Sequence, residues 1–299
     1  MDLDLRKLRY FLALAQHLHY GRAAEELHIA QPVLSRQIRM LEQELKLQLF
    51  RRDRRGTELT PAGEQLLADA PQLLSSADGV YRRAIRAGRD RKTFTVGFMP
   101  GLVVTAATRA FGLRHPELSI EVMRTSWTDQ VDVLRDGRVD IGYVRMPVDQ
   151  RGLRVEPLLD EPRAAMLPVW HRLAGKDSIR LPDLAGEQLL QNADVVPEWS
   201  EVAGPPLVRT EIPELRTVEE KLEHVAAGSG VVVLPLSTAT FYPRPDVTSV
   251  LIEDIAPSRV FLAWDSARRS PLIQEFAAIA IEHRDAAVFP PASGRTVTS

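Results

Sequence analysis

The sequence predicts a multidomain α/β chain, helical in its N-terminal third and alternating strands with helices afterwards. Three observations carry this. The chain has 299 residues, more than one ordinary domain holds. Apolar residues recur at helical spacing from the N-terminus to about residue 87. From Phe94 onward, short apolar runs alternate with amphipathic stretches, the rhythm of βαβ units and of a mainly parallel sheet.

The elements follow in order. Leu5, Leu8, Phe11, Leu12 and Ala15 share one helical face. A short second helix over 20–27 turns Ala23, Ala24 and Leu27 inward. The third helix places Pro32 in its first turn, where a missing N–H costs nothing. Its buried stripe is Leu34, Ile38, Leu41 and Leu45, which leaves Gln31, Ser35, Arg36 and Arg39 on or beside the opposite face. A basic turn, Arg51-Arg52-Asp53-Arg54-Arg55-Gly56, lies between two short extended runs. Thr60 and Pro61 then cap and open a fourth helix. Its Leu66, Ala70, Leu73, Ala77, Val80 and Ala84 follow heptad spacing. Two arrangements satisfy that spacing: a seam pairing two subunits, or a helix lying on its own domain. Pro71 predicts a kink.

In the C-terminal part, strands are expected over 94–98, 119–123, 139–144, 164–167, 188–191, 231–234 and 260–264. A helix is expected to open at about Leu102 and a long one to span 271–282, with a disordered tail from Asp285.

Composition narrows the function. Hydrophobic residues make up 44% and charged residues 26%, ordinary values for a soluble globular chain. With no cysteine, disulfides, thiolate metal sites and cysteine nucleophiles are excluded, which fits a cytoplasmic setting. The start Met1-Asp2-Leu3-Asp4 is not a signal peptide, and no apolar run reaches membrane-spanning length. Residues 1–92 hold 17 Lys and Arg against 12 Asp and Glu, a net of +5; the remainder holds 21 against 28, a net of −7. A basic N-terminal segment on an acidic body suits a polyanionic partner, although a merely solvated charged face gives the same count. Enzyme motifs are missing: there is no H-E-x-x-H and no Walker loop, and Ala227 and Val231 replace the glycines that a nucleophile elbow around Ser229 needs.

Residues 9–63 carry a specific resemblance. Arg9-Tyr10-Phe11-Leu12, the run from Tyr20-Gly21-Arg22-Ala23-Ala24 through Gln31-Pro32-Val33-Leu34-Ser35-Arg36-Gln37-Ile38, then Leu41-Glu42, Leu49-Phe50-Arg51-Arg52 and Leu59-Thr60-Pro61-Ala62-Gly63 resemble the LysR-type transcriptional regulators. Gly137-Arg138-Val139-Asp140-Ile141-Gly142 and Val225-Ala226-Ala227-Gly228-Ser229-Gly230 resemble that family's effector-domain signatures. The resemblance implies a winged helix-turn-helix over 1–59 and a long linker helix and hinge over 60–91. It also implies a two-lobed periplasmic-binding-protein-like effector domain, with lobe one at 92–161 plus 267–299 and lobe two at 162–266. It implies no enzyme activity and no cofactor. The implied partners are double-stranded DNA, the chain itself as homodimer or homotetramer through Leu66, Leu73 and Val80, a small-molecule effector, RNA polymerase, and no membrane.

Physical chemistry assigns the expected DNA contacts. A recognition helix enters the major groove with its N-terminal residues against base edges. Gln31, with Pro32 and Val33 beside it, suits adenine, and Arg36 suits guanine. Ser35 and Arg39 suit phosphates. Arg51, Arg52 and Arg54 on the wing also suit phosphate, while Arg55 suits the minor groove. For the effector, the resemblance points to a cleft lined by Pro100, Gly101, Leu102, Ser126, Trp127, Thr128, Arg145, Gln191 and Asn192. The expected helix start after Pro100 favours an anion. Gly101 and Trp127 depart from the hydroxyl residues common in the family's muconate- and benzoate-responsive branch, so that effector class does not carry over. Trp127 suits either a ligand wall or a core, and Arg145 either a ligand or a structural partner.

Overall fold

The computed structural model describes residues 3–53, 56–88, 92–201, 215 and 217–288. The chain divides into two units, Met1–Ala84 and Ile85–Ser299.

In the first unit, α1 (Leu5–His17) starts where the Asp4 carboxylate accepts the Arg6 N–H at 2.8 Å, and α2 (Tyr20–Glu26) where the His19 ring accepts from Arg22. Both caps satisfy N–H groups that a helix start leaves without partners. Then α3 (Gln31–Leu45) carries Pro32 in its first turn. Phe11, Leu14, Ala23, Leu34, Ile38, Leu41 and Leu49 close one core among the three helices. Burying each large apolar side chain there contributes about 1.5–3 kcal/mol. The strands β1 (Phe50–Asp53) and β2 (Gly56–Leu59) form an antiparallel hairpin, with Arg51 opposite Glu58 and Arg52 opposite Thr57. The Glu42 carboxylate accepts the N–H groups of Leu49 and Phe50, which fixes the hairpin to α3. The hydroxyl of Thr60 accepts the Gly63 N–H at 3.1 Å and opens α4 (Pro61–Ala87), which runs through Pro71 without interruption.

In the second unit the elements are β3 (Thr93–Phe98), α5 (Thr105–Arg114), β4 (Ser119–Arg124), α6 (Asp132–Arg135), β5 (Ile141–Arg145), β6 (Leu153–Glu161), β7 (Arg163–Pro168), β8 (Ser178–Ile179), α7 (Val218–Ala226), β9 (Val232–Pro235), α8 (Leu236–Phe241), β10 (Val247–Ile252), β11 (Ser258–Asp265) and α9 (Pro271–Glu282). They build two sheets, in the orders β4-β3-β5-β11-β6 and β8-β10-β7-β9. Alternation along each strand feeds both faces. In the first lobe, Ile141 and Tyr143 join the core under α5 and α9, where Phe94, Phe111 and Phe276 meet with centroids 4.8–5.4 Å apart. Val144 faces the opposite layer with Val133 and Leu134. In the second lobe, Ala165 and Leu167 join one core, and Met166 joins the other under α7.

Several sequence expectations need correction. The sheets are mixed rather than mainly parallel. The βαβ rhythm accounts for β3, β4 and β5, but β11 returns antiparallel between β5 and β6. Because β11 spans Ser258–Asp265 and pairs in the first lobe's sheet, the return from the second lobe precedes Ser258, not residue 267. The stretch 188–191 is no strand; Leu189 makes one isolated bridge to Val231. The helix after β3 opens at Thr105, three residues later than expected, because Leu102 and Val103 first bond with the C-terminal segment at Val288 and Ala287. That pairing also orders the start of the expected tail: 284–286 form a 3-10 turn and Ala287 is buried. Residues 289–299 lie outside the described residues.

Candidate functional site

The first candidate surface is on α3. Gln31, Pro32, Arg36 and Arg39 are exposed, while Val33 and Ser35 are half-buried beside the Leu34–Ile38 stripe. Arg39 donates to the Ser35 hydroxyl at 3.3 Å, and Arg36 has no ion pair among the described residues. The acids of this helix lie near its C-terminal end and are engaged, Glu42 with the hairpin and Glu44 with Lys7. The N-terminal half therefore presents amide, hydroxyl and guanidinium groups with no carboxylate, the donor-rich surface that base edges and phosphates require. Arg51 is exposed on β1. The side chain of Arg52 and all of Arg54 and Arg55 lie outside the described residues.

On α4 the heptad positions separate into two groups. Leu66 and Ala70 pack with Leu74 against Leu8 of α1, so the start of the helix does lie on its own domain. Leu73 and Val80 are 43% and 60% exposed, and Tyr81 and Ile85 are exposed as well. Leu66 is thus corrected to a core contact, and among the heptad leucines and valine exposure begins at Leu73.

The second candidate site is a cavity of about 750 Å³ between the two lobes of the second unit. Met99, Pro100, Trp127, Met146 and Pro147 line it from the first lobe, and Leu190, Val195, Val218, Val233 and Leu234 from the second. Among the described residues five cations line it, Arg124, Arg145, Arg163, Lys221 and Arg259, against one carboxylate, Glu198.

Three of those cations have a carboxylate partner: Arg124 reaches Glu219 at 3.7 Å, and Arg145 and Arg163 are held more closely. Arg145 is 2% exposed and forms a buried ion pair with Glu161, itself 5% exposed. Its Nη2 donates to Ser237 Oγ at 2.9 Å and its Nη1 to Ser258 Oγ at 3.1 Å. Glu161 in turn accepts the Ser237 N–H at 2.8 Å. Burial pushes the Arg145 guanidinium below its ordinary pKa, partly opposed by Glu161. Arg145 therefore joins the end of β5 to α8, and the structural alternative describes it. Arg163 is held by Glu198 at 2.6 Å and by the carbonyls of Ala256 and Val195.

The other expected lining residues fall into two groups. Pro100, Ser126, Trp127 and Thr128 reach the cavity; Gly101 and Leu102 do not. Leu102 is in the first lobe's core. Gly101 has φ of +83° and a Cβ there would lie 2.5 Å from Thr238 Cα, so the glycine permits close approach of two backbones rather than of a ligand. Trp127 packs on the first lobe's core and also lines the cavity. Gln191 lines the cavity, but its amide is paired with the N–H and C=O of Val233, both at 3.1 Å. Asn192 caps a 3-10 turn through the Asp194 N–H at 3.0 Å. Both amides thus act on the protein's own backbone.

Sequence reading missed Thr125, Lys221 and Arg259. Thr125 is 4% exposed and its hydroxyl has no hydrogen-bond partner. Lys221 is half-buried, with no hydrogen bond or ion pair among the described residues. Burial lowers its pKa, and the adjacent Glu220 partly opposes this. One signal was legible: a lysine in the first turn of a helix opposes the helix dipole.

Comparison with known proteins identifies the family. Residues 5–64 match the family model of the bacterial regulatory helix-turn-helix protein, lysR family, and residues 87–285 match the LysR substrate binding domain. The Hca operon transcriptional activator HcaR of Escherichia coli K12 is 33% identical, over 94% of this chain and 98% of that protein. The transcriptional regulator BenM of Acinetobacter baylyi is 34% identical, over 79% of this chain and 81% of that protein. The crystal structure of full-length BenM superposes with a TM-score of 0.54 at 29% identity, covering 97% of this chain and all of that one. A helix-turn-helix with a donor-rich third helix, a long helix and a two-lobed α/β domain, matched along nearly the whole chain, make this protein a member of the LysR family of transcriptional regulators, which act on DNA and are not enzymes.

Proposed function

We propose that this regulator binds a small organic anion between the lobes of its second unit and changes its DNA contacts in response. The observation that supports this is the cavity itself, large enough for a metabolite, apolar over most of its wall and, among the described residues, lined by five cations of which two, Lys221 and Arg259, have no carboxylate partner. An uncharged ligand gives no reason for those two unpaired charges. In this reading the anion is received by the unpaired cations, not by Arg145 or by a helix start after Pro100. Ser126 and Thr128, whose hydroxyls are 3.0 Å apart, supply polar contacts, and Trp127 supplies a flat apolar wall.

On the DNA side, Gln31 and Arg36 read bases. Ser35, Arg39 and Arg51 hold phosphates, and Arg52, Arg54 and Arg55 extend that contact along the wing. The exposed Leu73 and Val80 support a homodimer paired through α4, which presents two recognition helices to a partly palindromic site. We propose further a homotetramer, contact with RNA polymerase and a cytoplasmic location, for which family membership is the support. No helix among the described residues is long and apolar enough to cross a membrane.

The test is thermal unfolding of the full chain with a panel of organic carboxylates and their primary amides. A ligand that binds only the folded state raises the melting temperature. The reading expects stabilisation by some carboxylates and not by their amides. Equal stabilisation by both, or by neither, counts against it.

A further inference from the structure

We infer that Lys221 receives the carboxylate of the effector, and that Thr125, on the opposite lobe, meets a hydrogen-bonding oxygen elsewhere on the same molecule. The inference rests on the reading of the cavity as a ligand site and adds which groups take hold of the ligand.

The cavity cations differ in their partners. Arg145 has Glu161, and Arg163 has Glu198. Arg124 reaches Glu219 at 3.7 Å and the Tyr242 hydroxyl at 3.4 Å. Arg259 is exposed and stands 5.9 Å from the Phe261 ring centroid. Lys221 alone combines partial burial with no counterion among the described residues. A partly desolvated ammonium without a counterion is unfavourable, and a bound anion removes that penalty.

Its position strengthens the case. Thr217, Val218 and Lys221 all line the cavity, so the N-terminal end of α7 faces it. The Thr217–Glu220 capping box occupies the N–H groups of Thr217 and Glu220. Those of Val218 and Glu219 precede the first intrahelical donor, the Lys221 N–H, which goes to the Thr217 carbonyl at 3.3 Å. The helix end and the lysine therefore favour negative charge at the same place. Lys221 opposes the helix dipole; of the two acids in the same turn, Glu219 faces Arg124 and Glu220 closes the capping box. An anion beside Lys221 is favoured by both the ammonium and the helix end.

Across the cavity, the Thr125 hydroxyl is buried and has no partner. A buried hydroxyl without a hydrogen bond carries a cost that a ligand oxygen can relieve. Thr125 follows β4 in the first lobe, and Lys221 belongs to the second. One molecule touching both spans the lobes, so its affinity depends on their relative arrangement. That dependence is what lets a ligand shift a conformational equilibrium. The effector class is therefore an apolar carboxylate bearing a hydroxyl or carbonyl oxygen remote from the carboxylate.

The test is calorimetric titration of the full chain with aromatic monocarboxylates, with and without a ring hydroxyl, each paired with its primary amide. Wild type should prefer acid over amide. Lys221→Met should weaken acid binding by about tenfold or more while leaving the amide unchanged, since a charge-assisted hydrogen bond is lost. Thr125→Val should lose the preference for the hydroxylated member. Unliganded melting temperature checks folding, and Lys221→Gln replaces the methionine variant if that variant unfolds. A Lys221 variant that is folded and keeps the wild-type acid preference overturns the inference and leaves the anion reading standing. If wild type itself shows no acid preference, the anion reading fails first, and the inference with it.

Discussion

Replacing Glu161 by Gln removes the counterion of Arg145 and keeps the shape of the side chain. Arg145 and Glu161 are 2% and 5% exposed, so solvent screens neither charge. The guanidinium keeps its bonds to Ser237 and Ser258, but these are neutral hydroxyls. Breaking a buried ion pair from one side costs about 3–5 kcal/mol because a charge is left buried without its partner. For a unit of this size that corresponds to a fall in melting temperature of roughly 6–20 °C. The assay is calorimetric unfolding of the full chain, following the transition of the second unit. Arg145→Met paired with Glu161→Leu should be less destabilised than Glu161→Gln, since a matched apolar pair leaves no charge behind. A Glu161→Gln protein that melts with wild type would refute the view that this pair holds the two lobes at β5 and α8.

Three further predictions concern other parts of the chain. Arg36→Ala should weaken operator binding by about 1–3 kcal/mol and relax preference at one position of each half-site; an equal loss on a scrambled duplex would reassign Arg36 to phosphate contact. Leu73→Asp should cost the monomer little, because Leu73 is 43% exposed, yet it should disrupt the oligomer in sedimentation, where a charge would enter an apolar seam; an unchanged oligomer would remove α4 as the pairing surface. His115 bonds Glu275 at 2.9 Å, which raises its pKa above the ordinary 6.5. The imidazolium should therefore stabilise the second unit fully below that ordinary value, an effect lost as pH rises through the raised one; the stability difference between wild type and His115→Gln should shrink across that interval, and a difference independent of pH would contradict the assignment.

What the sequence revealed depended on how local the cause was. The Leu34–Ile38–Leu41 stripe, the Thr60 cap and the start of α9 are set by neighbours a few residues away, so spacing alone places them. The strands β6 and β10 were missed because their pairing partners are distant, and β11 was assigned to the wrong lobe because only hydrogen bonding to Val144 and Tyr143 shows its sheet. Heptad spacing could not say what covers each position, so Leu66 and Leu73 read alike although one packs on α1. The same limit applied in the cavity. Arg145 was visible as a charge, but the carboxylate neutralising it is 16 residues away and reaches it only through the fold. Gln191 was visible as an amide, but not its bonds to Val233. Lys221 was overlooked because its one legible signal, a lysine in the first turn of a helix, is weak beside its missing partner, which only the fold shows.

The central claim is that an anion in the cavity changes how the protein holds DNA. Its most direct test is the affinity of the full chain for one of its own mapped genomic sites, with and without a saturating carboxylate that stabilises the protein. The account predicts a change of about fivefold to 150-fold in affinity, or a displaced footprint at equal affinity, because coupling of about 1–3 kcal/mol is typical between linked sites. The same affinity and the same footprint with the cavity filled would contradict it.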